Sequence, residues 1–202
     1  MVKRTQSSRE WLKEHFTDPF VKRAWAEGWR SRAVFKLEEI DRKEKLLKPG
    51  MVVLDLGSTP GAWSQYAKRR VGKNGTLIAS DILPMEPIPG VDFIEGDFRE
   101  ESVFEAILAK VPPGGVDVVL SDMAPNLSGV DAIDKPRSLY LCELALDLAN
   151  RALKPGGDVL IKTFQGTGFD AFVVKRRNFS KTAPLVFLLC AGVVEFEANW
   201  FW

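Results

Sequence analysis

Short apolar runs alternate with helix-length stretches along most of this chain. Met51 to Leu56, Thr76 to Ser80, Val91 to Ile94, Val116 to Leu120 and Asp158 to Ile161 are rich in Val, Ile and Leu and are closed by Gly, Pro or Asp. Runs of that kind read as strands buried on both faces. Between and after them, Ala62 to Val71, Glu101 to Lys110, Arg137 to Leu153 and Phe169 to Arg177 carry helical patterns, the third closed by Lys154-Pro155-Gly156-Gly157. Strand and helix in repetition predict five parallel strands in an open, doubly wound α/β sheet, Rossmann-like and mostly parallel. With no internal repeat, low-complexity stretch or linker, residues 1–202 are expected to form a single domain. Ligands of such sheets bind outside the carboxyl ends of the strands, so the residues that follow each strand are the candidates for chemistry.

Composition narrows the class. Hydrophobic residues make up 46% of the chain and charged residues 27%, which excludes wholesale disorder, collagen-like repeats and a disulfide scaffold. The longest run without a charge or strongly polar group, Ala183 to Val194, is too short to span a bilayer. Two cysteines (Cys142, Cys190) and no apolar leader after Met1 predict a cytoplasmic protein. The net charge of +1 is unevenly distributed: Met1 to Lys36 holds nine Lys or Arg against four Asp or Glu. Those cations are interleaved with Trp11, Phe16, Phe20, Trp25, Trp29 and Phe35. Basic groups among aromatics suit a phosphate backbone with stackable bases, with Lys22, Arg23, Arg30 and Arg32 as RNA-facing candidates. The other reading of the same stretch is an amphipathic helix with its aromatics in the core and its cations in water.

The first strand runs into Asp55-Leu56-Gly57-Ser58-Thr59-Pro60-Gly61-Ala62-Trp63. Gly57 and Gly61 let backbone approach a ligand, and Asp55 puts a carboxylate at the strand end. The dinucleotide pattern G-x-G-x-x-G is missing, and an acid with Pro-Gly suits a ligand bearing an amino group and no pyrophosphate, which points to S-adenosylmethionine. Asp81, twenty-six residues beyond Asp55, is placed to accept from a ribose, and Asp97 beside Phe98 to receive an adenine amino group. Singly, each acid could equally be a strand-end cap. Ser121-Asp122 and Lys162-Thr163 close the fourth and fifth strands, bringing a carboxylate and an ammonium over one crevice as either a reactive pair or a structural ion pair. His15 and the two cysteines form no ligand cluster, so no metal is expected.

Ser31-Arg32-Ala33-Val34-Phe35-Lys36-Leu37, Asp55-Leu56-Gly57 with Pro60-Gly61 and Trp63, Gly96-Asp97-Phe98, Ser121-Asp122-Met123-Ala124-Pro125-Asn126 and Lys162-Thr163-Phe164-Gln165-Gly166 occur in order. Together they resemble the FtsJ-type ribosomal RNA 2′-O-methyltransferases from about Trp11 to Arg177. The resemblance implies the S-adenosylmethionine-dependent methyltransferase fold, with Lys36, Asp122 and Lys162 as three members of a Lys-Asp-Lys-Glu tetrad around the target hydroxyl. It implies Gly61, Trp63, Asp81, Asp97 and Asp122 as contacts of S-adenosylmethionine. Its bacterial members methylate a uridine ribose in large-subunit ribosomal RNA on the assembled large subunit, so that RNA and subunit are the expected partners, met by a monomer. A catalytically impaired RNA-binding assembly factor, a messenger-RNA cap 2′-O-methyltransferase and an NAD-dependent oxidoreductase are the competing readings. This chain departs from the family at Ala62, where a second Gly is usual, and from Thr182 to Trp202, an apolar tail in place of a basic stretch and Arg-Ser-x-Glu-x-Tyr. Glu197 stands at about the family's distance from Lys162 for the fourth tetrad member, ahead of Glu195. The change of composition is what a local reading-frame change would leave.

Overall fold

The computed structural model describes residues 17–126, 128–163 and 185–189. The chain begins there with helices α1 (Pro19–Ala26) and α2 (Val34–Glu44), then β1 (Val52–Leu56), α3 (Ala62–Val71), β2 (Thr76–Asp81), β3 (Val91–Glu95), α4 (Glu101–Lys110), β4 (Val116–Ser121), α5 (Asp131–Ala152), β5 (Leu153–Thr163) and β6 (Leu185–Leu189). The described strands form one sheet in the order β3-β2-β1-β4-β5-β6. All five pairings are parallel. The chain thus starts at the middle of the sheet, winds to one edge, and returns to build the other half, which puts the switch point between β1 and β4.

Side-chain alternation along the strands divides the core between the two faces. Leu54, Leu56, Ile78, Val119, Val159 and Ile161 pack with α4 and α5, whereas Val53, Leu77, Val118, Leu120 and Leu160 pack with α2 and α3. Asp41 pins the second layer together. Only 1% exposed on α2, it accepts from Leu47 N at 2.7 Å, from the Tyr66 hydroxyl of α3 at 2.9 Å and from Arg70 Nε at 2.7 Å. Burial, and then the hydrogen bond to Asp41, push the Tyr66 hydroxyl above its ordinary range.

The predicted sheet is present, with three changes. The third long helix starts at Asp131, six residues before the expected Arg137, because Pro136 lies inside the helix rather than heading it. Its first turn is secured by Asp134, which accepts from Ser128 N, Ser128 Oγ and Gly129 N at 2.8–2.9 Å. Lys154-Pro155-Gly156-Gly157 loops out of β5 rather than separating helix from strand: Val116 pairs with Leu153 and Val118 already with Asp158. A sixth strand, Leu185–Leu189, adds to the β5 edge within the stretch read as an atypical tail. The helix expected at Phe169 to Arg177 lies outside the described residues.

Candidate functional site

Strand register gathers the candidate groups at one end of the sheet. Asp55 lies level with Leu120, and Leu120 with Leu160. Asp122 and Lys162 each follow two residues later, so alternation directs all three toward the α2–α3 face at the carboxyl ends of β1, β4 and β5. The last β4–β5 pair, Ser121 with Ile161, comes immediately before them. Lys162 Nζ lies 2.7 Å from Asp122 Oδ1 and donates to the Asp122 carbonyl oxygen at 2.5 Å. The donor direction favours the carbonyl, which leaves Oδ1 in ionic contact without an aligned hydrogen bond. With the Lys162 side chain 10% exposed and that of Asp122 20%, the pair is largely withdrawn from water.

The turn after β1 is built on two glycines in the left-handed region. Gly57 has φ +72°, and a Cβ there would stand 2.5 Å from Met123 Cγ and 3.1 Å from Met123 backbone. Gly61 has φ +105°, and a Cβ there would meet Arg30 Nη1, Ile88 and Met85 at 2.9 Å. Both turns therefore exclude a side chain by conformation and by crowding. Asp81 holds this turn against the next one, Oδ2 accepting from Thr59 N at 2.8 Å and Oδ1 from Leu83 N at 2.9 Å. Asp55 is fully buried beneath it and accepts from Ser64 Oγ at 2.5 Å. Burial pushes the Asp55 carboxyl up to about 7; the Ser64 hydroxyl opposes that push, and the charges of Asp122 and Asp81 add to it. Trp63 is 2% exposed in the core, its indole N–H donating to Ala33 O at 2.8 Å, so it braces α3 against the start of α2. Asp97 meets Arg99 through both carboxylate oxygens, and that hydrogen bonding holds its carboxyl below the usual carboxylate range.

The basic front is more occupied than its charge suggests. Arg23 contacts Glu27 at 2.6 Å and Glu38 at 3.5 Å and stacks on the Phe35 ring, and Arg32 pairs with Asp18. Arg30 is spent on backbone carbonyls, donating to Pro60 O at 3.0 Å, Glu86 O at 2.6 Å and Pro87 O at 2.9 Å. Lys22 and Lys36 are exposed. A groove of about 650 Å³ lies along this front, lined in part by Phe20, Phe35, Arg32 and Lys36. Arg99, which no sequence pattern singled out, emerges as the partner of Asp97, and its only signal is a position two residues downstream. Glu197 and His15 lie outside the described residues. Among the described residues no group of three or more His, Cys, Asp or Glu could hold a metal ion, and no helix is long and apolar enough to cross a membrane.

Groups able to receive a small polar ligand remain at the strand ends. Asp55 Oδ1 near the end of β1, Ser58 Oγ in the turn after it and Ser80 Oγ near the end of β2 are buried without a hydrogen-bond partner. Asp81 caps the same place with two oxygens that each retain an accepting lone pair. That capacity fits a ligand carrying amino and hydroxyl groups, and with the parallel sheet it meets what an S-adenosylmethionine-dependent methyltransferase requires. The comparisons with known proteins place it more narrowly. A model of the FtsJ-like methyltransferase family matches residues 29–184, and the chain belongs to that family. A protein of Legionella pneumophila named ribosomal RNA large subunit methyltransferase E is 56% identical over 181 residues, 89% of this chain and 88% of that one. One of the same name from Pseudomonas paraeruginosa is 60% identical over 175 residues, 87% of this chain and 84% of that one. A solved structure described as a ribosomal RNA methyltransferase from Plasmodium falciparum is 29% identical and superimposes with a TM-score of 0.65 over 74% of this chain and 86% of that one.

Proposed function

We propose that this protein methylates the 2′-oxygen of a uridine ribose in large-subunit (23S-type) ribosomal RNA, acting as a cytoplasmic monomer on the assembled large subunit. The observation that carries the reading is the Asp122–Lys162 contact of 2.7 Å, held at the ends of two adjacent strands and beside the Gly57 turn. The names of the relatives that cover most of the chain support the choice of RNA. When bound, S-adenosylmethionine supplies an electrophilic methyl group on a sulfonium.

The protein's part is to hold the acceptor and move its proton. Asp81 and the turn from Gly57 to Gly61 hold the methyl donor, with Asp97 beyond them once Arg99 shares its carboxylate. Lys36, exposed on α2 at the edge of the basic groove, binds the ribose or its neighbouring phosphate. Lys162 would meet the 2′-hydroxyl, as the group that accepts its proton or orients it, and Asp122, 2.7 Å away, holds the Lys162 side chain in place. Aligning two bound reactants supplies much of the remaining acceleration. Glu197 completes the tetrad if the tail reaches the site.

The test is methyl transfer from labelled S-adenosylmethionine to free large-subunit RNA, small subunits and large subunits prepared from cells that lack the modification. Label appearing as a ribose methyl only on large subunits is expected. Binding of donor and RNA with no transfer would instead make the protein an RNA-binding assembly factor.

A further inference from the structure

Arg30 joins two turns at the carboxyl ends of β1 and β2. Its guanidinium bridges the Pro60 carbonyl, in the turn after β1, and the Glu86 and Pro87 carbonyls, in the connection after β2, at 2.6–3.0 Å. Its backbone N–H donates to Gln65 Oε1 on α3 at 2.9 Å. The fit is close, since Nη1 stands 2.9 Å from where a Cβ on Gly61 would be. A few residues further along, Ala33 accepts from the indole of Trp63, so the stretch leading to Lys36 is bonded to α3, the helix that follows the donor-side turn, at two points. Three carbonyls converging on one cation repel one another, and that cation joins the two turns at their outer end, beyond the bonds that Asp81 and Thr59 make between them.

We propose that Arg30 is a positioning residue that couples the methyl-donor pocket to the RNA-facing segment, so that each substrate strengthens binding of the other. This rests on the donor and RNA reading given above. Donor binding fixes the turns that carry Pro60, Glu86 and Pro87; fixed carbonyls fix Arg30, and Arg30 fixes the stretch that presents Lys36. Coupling between binding sites is reciprocal, so RNA binding tightens the donor by the same factor.

The experiment titrates wild type, Arg30→Ala and Arg30→Lys with unmodified large ribosomal subunits, with and without saturating S-adenosylhomocysteine, and measures S-adenosylhomocysteine binding by calorimetry. Wild type should bind subunits about tenfold more tightly with the ligand present, within the usual range for coupled sites. Arg30→Ala should lose that dependence. Arg30→Lys, whose single ammonium replaces a planar fork, should retain a part of it and keeps a cation among the carbonyls if the alanine variant fails to fold. Full coupling in Arg30→Ala, or none in a wild type that binds both ligands, overturns the proposal. A wild type that binds no S-adenosylhomocysteine overturns the donor reading itself.

Discussion

Replacing Asp55 by Asn should change how stability depends on pH. Asp55 is fully buried, and its carboxyl titrates near 7 in the folded protein instead of the 3.8 of an exposed group. Between those values the folded state holds a proton that the unfolded chain has released, so stability is greatest below pH 4 as far as this group is concerned. It falls as pH rises, by about 1.4 kcal/mol per pH unit, and levels off above 7 after a loss of about 4 kcal/mol. Asn is neutral throughout and keeps an acceptor for the Ser64 hydroxyl, which Asp55 binds through Oδ2. Urea denaturation of both proteins from pH 4.5 to 8.5 isolates the effect, because every other titrating group is common to the two. The stability difference should move in favour of Asp55→Asn by about 3 kcal/mol across that range, less whatever relaxation and water entry recover. A difference independent of pH would refute the argument and mean that Asp55 stays ionised in the fold.

Three further outcomes are expected. Lys162→Arg should slow methyl transfer about 10²- to 10⁴-fold while donor affinity by calorimetry stays near wild type, because a guanidinium keeps its proton; near-normal turnover would leave Lys162 an orienting role only. Lys22→Glu and Lys36→Glu should each lower the log–log salt slope of RNA binding by at least about 0.7, and unchanged slopes would return the basic front to a solvated face. Asp41→Ala strands Leu47 N, the Tyr66 hydroxyl and Arg70 and should cost about 3 kcal/mol in urea unfolding, with a loss below about 1 kcal/mol contradicting its place as the pin of α2 and α3.

Elements whose own residues set them could be read along the chain, and those set by distant partners could not. β1, β2 and β4 are runs of Val, Ile and Leu with both faces covered, and their sequence says so directly. The start of α5 was not legible because Pro136 is a good first residue of a helix, and what extends the helix upstream is Asp134 reaching back to the backbone of Ser128 and Gly129. β6 is apolar enough to be a strand, yet it needs the exposed edge of β5 to become one. Within the site, Asp122 and Lys162 were legible because parallel register turns two strand ends into neighbours. Arg30 was not: counting charge finds a cation, whereas carbonyls thirty and fifty-six residues away decide what that cation does. Asp41 was hidden in the same way, inside a stretch of alternating charges that resembles a solvated helix.

Met123 lying across Gly57 makes the turn after β1 and the segment after β4 a single mechanical part. With Met123 Cγ 2.5 Å from the position a Cβ on Gly57 would take, Met123 occupies the space that the missing side chain leaves. Asp122 N also donates to Leu56 O at 3.2 Å, one residue before the glycine. The spacing between the donor turn and the Asp122–Lys162 pair is therefore set by the central backbone ladder of the sheet, the part of a fold that opens last. Activity in such a design is an all-or-none property: heating or denaturant should deplete the number of working molecules and leave each survivor turning over at its full rate.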